Sequence, residues 1–187
     1  MKLFGSRGAD AAHREAAKQV AGAVGERALA WAATDDGALL VATDRALHVG
    51  EERLPWDRVA KAGWDSDEGV LTVVASSGPG ERSRSRRLAV GDATRLLQVV
   101  RSMVTSNLVV SERIASPEWG GAWVTARRDP DADLRGRRDA ELAPGLAPEV
   151  GGLRWTVVFD PGLDPTDPGR RAWADENVAA IRRSTGV

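Results

Sequence analysis

Hydrophobic and polar positions alternate in short runs along this chain, and turn residues separate the runs. In residues 26–65 (ERALAWAATDDGALLVATDRALHVGEERLPWDRVAKAGWD), Leu29, Trp31 and Ala33 share one parity, the two-residue period of a strand. Asp35-Asp36-Gly37 signals a hairpin, because Gly accepts positive φ. Leu39 and Val41 then alternate with Leu40 and Ala42, and Thr43-Asp44-Arg45 makes a second tight connection. Leu47 and Val49 lie on one face, Ala46 and His48 on the other. Pro55 has no N–H for a ladder, so Leu54-Pro55-Trp56-Asp57-Arg58-Val59 predicts an edge, a bulge or a corner. Residues 69–76 and 86–90 add two strands. Asp92 suits the N-cap of a helix over 92–106, whose apolar stripe is Leu96, Leu97, Val100, Met103 and Val104.

The pattern then restarts. Leu108, Val110 and Ile114 share a parity that Glu112 interrupts, and residues 121–128 form another strand after a turn at Trp119-Gly120-Gly121. Leu153, Trp155, Val157 and Phe159 alternate without a break. Asp167 suits an N-cap with Pro168 at the first helical position, opening a helix over about 168–184 that buries Ala174, Val178 and Ile181 beside Trp173. Residues 129–152, rich in Pro, Gly, Asp and Arg, have no period and predict a long mobile loop. At the front, residues 9–24 read as an Ala-rich helix with Asp10 as N-cap. Its stripe of Ala16, Val20 and Val24 is thin, which predicts weak packing or fraying. The expected fold class is α+β. An N-terminal Ala-rich helical segment (1–25) precedes a helix-capped strand meander (26–107), and a small three-stranded sheet with a C-terminal helix (108–187) follows.

Three stretches carry a family resemblance: Leu-Leu-Val-Ala-Thr-Asp-Arg-Ala-Leu-His-Val at 39–49, Leu-Pro-Trp-Asp-Arg-Val at 54–59, and Trp64-Asp65. Residues 26–107 thereby resemble the bacterial pleckstrin-homology-like (PH/GRAM-type) domain. That resemblance implies a bent antiparallel β-sheet or barrel capped by a helix, acting as a binding or scaffolding module. It transfers no site residues. Relatives that bind phosphoinositides use a basic loop between the first two strands; here that loop is the acidic Asp35-Asp36-Gly37.

Composition narrows the function classes. The chain has 187 residues, 42% hydrophobic and 28% charged, the profile of a globular protein with ample length for a core. A net charge of −1 gives no general attraction to nucleic acid or anionic membranes. Zero Cys excludes disulfides, thiolate metal sites and cysteine nucleophiles. Lys occurs only at positions 2, 18 and 61, leaving 23 of the 26 basic residues as Arg. That bias suits a high-GC genome of the actinobacterial kind, so the Arg count alone carries no functional weight. No stretch approaches the ~20 apolar residues that span a bilayer. The first residues lack an apolar core, so no signal peptide is predicted, and a cytoplasmic location is expected.

The candidate chemistry is sparse. Asp129-Pro130-Asp131-Ala132-Asp133 has the opening spacing of an EF-hand loop, but Leu134 stands where Gly is required and Ala140 where a bidentate Glu belongs. Asp160, Asp164 and Asp167 are explained by capping at a helix N-terminus. His13 falls on a surface helix, and the parity of His48 predicts that it faces solvent or a groove. No Gly-x-Ser-x-Gly elbow, Walker A loop or Gly-x-Gly-x-x-Gly occurs. The expectation is a protein that is not an enzyme and needs no cofactor or metal.

Seven Trp with no Tyr is the anomaly. Trp31 and Trp155 take core parities, and Trp56 and Trp64 flank the Pro55 corner. Trp123 takes the parity opposite to Val124 and Ala126, shared with Thr125 and Arg127, while Trp119 lies in a turn. Exposed Trp beside Arg is the composition of an interface hot spot. Trp119, Trp123 and Arg127 are therefore the candidate partner-binding residues. The expected role is binding or scaffolding, with a protein partner or a second copy as ligand and 129–152 as an arm ordered on binding. The alternative is a small-ligand or lipid-headgroup module. Its anion end would be the basic loop after Gly78-Pro79-Gly80, with candidates Arg82, Arg84, Arg86 and Arg87.

Overall fold

The computed structural model describes residues 6–75, 84–91, 93–133 and 152–186. They fall into two compact units, one within Met1–Ala75 and Arg84–Ser106, the other Asn107–Val187 with 76–83. The chain is thus an α+β protein, with three antiparallel sheets, of four, three and three strands, among the described residues.

The first unit begins with helix α1 (Ser6–Ala23), followed by β1 (Ala28–Ala33), β2 (Leu39–Thr43), β3 (Ala46–Val49) and β4 (Glu52–Pro55). These strands pair in sequence order as a meander. Pro55 ends the edge strand and opens a single 3-10 turn, Trp56–Arg58, which is the predicted corner. A second meander follows: β5 (Val59–Asp65), β6 (Val70–Ala75) and β7 (Arg84–Ala89), then helix α2 (Thr94–Ser106). Thr34, just past β1, bridges to Val90, just past β7, which ties the two sheets together at one corner.

The core of this unit lies between both sheets and α2. Ala30, Ala32, Leu40, Leu47 and Trp56 meet Leu71 and Val73 from the second sheet and Leu96 and Val100 from α2. Trp56 is the anchor of the corner, 1% exposed, with its indole N–H donating to the Thr43 carbonyl at 3.0 Å. Full burial of aliphatic side chains such as Leu96 and Val100 contributes about 1.5–3 kcal/mol apiece. Asp92, the expected cap of α2, lies outside the described residues.

Three expectations about this unit are corrected. Ala30 and Ala32 face the core, not Trp31, which is half-buried on the opposite face of β1. The reason is that this sheet has apolar cover on both sides, so parity alone does not say which side is the core. Helix α1 packs on β1 and β2 and sets Arg14 5.7 Å from the Trp31 ring centroid. It does so closely, through Ala17 and Ala21, while Val24 is left 46% exposed. The expected stripe was therefore one residue off, because small side chains let the helix approach the sheet. Asp10 lies inside α1 and pairs with Arg14 at 3.6 Å instead of capping it.

The second unit consists of β8 (Leu108–Ser116), β9 (Gly120–Arg128), β10 (Leu153–Phe159) and helix α3 (Pro168–Thr185). The central strand is β9. Ile114, Ala122, Val124 and Ile181 form its buried core, with Trp155, Val157, Phe159, Trp173 and Val178 packed against them. Asp167 caps α3 through Arg170 N–H at 2.9 Å, with Pro168 in the first turn, as the sequence predicts. Gly121 is obligatory for packing, since a Cβ there would overlap the Ile114 carbonyl oxygen on the neighbouring strand. Within the expected loop 129–152, Asp129 N–H donates to the Gly152 carbonyl at 2.6 Å; residues 134–151 lie outside the described residues.

Candidate functional site

Strand alternation gives the β8–β9–β10 sheet two unlike faces. Val110, Ala126 and Trp155 form one cross-strand row, and Ile114, Ala122 and Phe159 another; both turn toward the core that α3 closes. The opposite face carries the rows Arg113–Trp123–Val158, Ser111–Thr125–Thr156 and Leu108–Arg127–Arg154. Trp123 is 45% exposed and Val158 48%. At the far end, Leu108 and Val109 are exposed where β8 bulges. Arg113 grips Asp160 with two hydrogen bonds of 2.9 Å. That fork holds the Asp160 carboxyl below its ordinary range and raises the guanidinium. The bare face is thus apolar at Trp123 and Val158, neutral and hydroxyl-bearing at its middle, and closed at one rim by a self-satisfied ion pair.

The other candidate residues separate. Trp119 is half-buried, 4.6 Å from the Trp173 ring centroid in an edge-on contact and 6.0 Å from Phe159. Arg170 sits 5.6 Å over its ring. Its contact surface is therefore within the chain. Arg127 is 7% exposed and cannot present a guanidinium to solvent in the way proposed from its parity. The basic run is also placed differently from the expected loop, since Arg84, Arg86 and Arg87 belong to β7. Arg86 pairs with Glu52 and Arg87 with Glu68, while Arg82 lies outside the described residues. Asp160, Asp164 and Asp167 have separate partners, Arg113, Thr166 and Arg170 N–H respectively. Trp155 packs on the core with Arg182 5.1 Å over its ring.

His48 overturns its expectation most clearly, because it is 4% exposed. Its Nε2 lies 2.9 Å from Oε2 of Glu26, whose side chain is 1% exposed. The same carboxylate accepts from Thr43 Oγ1 and from Arg53 Nε, each at 2.6 Å. Trp31, Val41, His48 and Arg53 are cross-strand neighbours, so the cluster lies on the face of the β1–β4 sheet that α1 covers. Burial pushes the Glu26 carboxyl up. The hydrogen bonds from His48, Thr43 and Arg53, with the Arg53 charge, outweigh it and hold the carboxyl below its ordinary value. Sequence reading passed over Glu26 because it precedes a strand and belongs to no motif. The available signal was His48, a polar residue in a strand whose other members are all apolar. Each group here bonds to another in the cluster, the arrangement of a structural lock between the α1–β1 junction and the sheet.

Comparison with protein-family models, with curated proteins and with solved structures returned no match to this chain. Among the described residues no helix is long and apolar enough to cross a membrane.

Proposed function

We propose that this is a non-enzymatic binding protein, cytoplasmic, that docks through the bare face of the β8–β10 sheet and takes a second copy of itself as occupant. The observation that carries the reading is the pairing of Trp123 with Val158 on adjacent strands, both nearly half exposed among the described residues. Trp is the residue type most enriched among interface hot spots. The occupant follows from charge. Arg113 at one rim is neutralised by Asp160, the middle row carries hydroxyls, and Arg127 and Arg154 in the row beyond are engaged rather than free, so the face asks for no partner of opposite sign. A neutral apolar patch is complementary to itself, which is what a two-fold contact requires. A different protein as occupant is an outcome of the test.

The first half supports a binding module as well, with two antiparallel sheets of four and three strands closed by α2. That order is the one the PH-like resemblance implies. The lipid-headgroup alternative has less behind it, since Arg86 and Arg87 already face carboxylates. Sedimentation velocity across a concentration series tests the proposal. The wild type shifts from monomer to dimer with concentration, and Trp123→Glu stays monomeric at every concentration. A wild type that remains monomeric throughout overturns self-association. If it then forms a stoichiometric complex with a host protein that Trp123→Glu loses, the occupant is that protein.

A further inference from the structure

The first unit contains a cleft of about 670 Å³ between α2 and the β5–β6 hairpin. This volume is within the range of small-molecule sites, about 300–1,000 Å³. Its presence explains an oddity of Trp64. Register pairs Trp64 with Leu71 and Ala62 with Val73, so Trp64 is on the core-facing side of β5. Yet it is 40% exposed. The indole is left as one wall of an open cleft whose opposite side is α2.

The lining is divided by chemistry. Ala62, Leu71, Leu97, Val100 and Val104 supply an apolar floor. Thr94, Gln98, Arg101 and Thr105, at helical spacings of four, three and four, make a polar rim along α2. Arg101 is the only charged residue of the lining and forms no ion pair with any described carboxylate. The nearest acid in sequence, Asp65, turns its carboxylate into the β5–β6 turn, where it accepts from Asp67 N–H and Glu68 N–H at 3.0 and 3.1 Å. A flat aromatic wall, an aliphatic floor and one cation at the mouth suit a ligand with an apolar body and a single anionic head. We infer that this cleft is a binding site for a small anionic amphiphile, a carboxylate on an acyl or aryl body, with Trp64 and the floor holding the body and Arg101 the head. The site is within one unit and is independent of the Trp123 face, so either proposal survives the failure of the other.

Decanoate, below its micellar concentration, is a direct probe. In an ¹H–¹⁵N correlation spectrum each Trp contributes one indole N–H signal, and Trp64→Phe assigns the one that matters. Decanoate is expected to shift the Trp64 indole saturably while the Trp123 indole stays in place. Arg101→Gln weakens binding about tenfold, the loss of one charge-assisted hydrogen bond, and decanol binds with the weakened affinity. Gln98→Trp, at an exposed helix position, fills the cleft and abolishes the response without touching the core. Absence of a saturable Trp64 shift at millimolar decanoate overturns the inference. So does equal affinity for decanol, or an affinity that Gln98→Trp leaves unchanged in a variant whose unfolding midpoint matches the wild type.

Discussion

The β1–β4 sheet and the β8–β10 sheet both alternate apolar residues, and both carry a Trp on the face opposite their main core. Over Trp31 the chain has placed α1, with Ala17 and Ala21 buried and Arg14 above the ring. The Trp123 ring is 45% exposed beside Val158, with no such cover among the described residues. The first sheet has a helix on each side, α1 and α2; among the described residues the second has α3 on one face. An aromatic side chain on a covered face serves stability, while the same residue on a bare face costs solvation, which the proposed partner would relieve. The polar groups repeat the contrast. Glu26, under the covered face, is fully enclosed by His48, Thr43 and Arg53, while Asp160 meets Arg113 at a solvent-exposed rim.

The largest effect that would break this comparison is expected at the covered face. Glu26→Gln removes the charge that faces Arg53 and one acceptor of the Thr43 and His48 contacts, and breaking a buried pair costs about 3–5 kcal/mol. Urea unfolding monitored by circular dichroism measures it; a loss comparable to that of an exposed pair would mean the cluster is not a lock. The pH dependence has a definite sign. Because the Glu26 carboxyl is lower in the folded state than its ordinary 4.5, its contribution is complete above that value and lost as pH falls through the folded value. Glu26→Gln should therefore flatten the acid limb of the stability profile below about pH 4.5.

A step below stands Gly121→Ala, which forces a methyl group onto the Ile114 carbonyl. Overpacking of this kind costs about 1–3 kcal/mol, and the expected result is a lower thermal midpoint with the first unit's Trp56 signal unchanged. The pair Trp31→Ala and Trp123→Ala sharpens the comparison directly. Trp31→Ala should destabilise by about 2 kcal/mol, below the range for fully buried Trp because the ring is half-covered. Trp123→Ala should change stability by no more than about 0.5 kcal/mol in the monomer. Equal losses at both positions would show that the second sheet's outer face is covered after all. The smallest effect belongs to Asp160→Asn, whose exposed, screened pair leaves the unfolding midpoint nearly in place.

How much of this was legible in the sequence depended on cover. From Val110 to Phe159 the strands follow their alternation, because one face of that sheet is buried and the other is not, and Asp167-Pro168 marks the start of α3. Leu108, expected on the face of Val110 and Ile114, is turned to the other face by the bulge in β8. The parity of Trp123 then read correctly as outward. In the first unit the same rule misplaced Trp31 and His48, since both faces of that sheet are buried and period two cannot rank them. The α1 stripe slipped for a related reason. Alanine carries too little apolar contrast to mark which helix face will be used, and Ala17 and Ala21 were indistinguishable from Ala16. Arg127 was read as outward with Trp123, and parity was right about the direction but silent about the burial. The Glu26 cluster and the Trp64 cleft join residues 27 and 43 positions apart at their widest pairs, Glu26 to Arg53 and Ala62 to Thr105. Only the three-dimensional pairing brings such residues together.

The most direct test of the bare-face account exploits the absence of Cys. A Ser111→Cys variant places a single spin label on the outer face, one strand away from Trp123 and at an exposed position. Double electron–electron resonance at a concentration where sedimentation shows dimer then reports the label-to-label distance. Two sheets packed face to face lie about 10 Å apart, so the account predicts strong dipolar coupling within about 25 Å, abolished by adding Trp123→Glu. No coupling, or coupling that persists unchanged in the double variant, would contradict it.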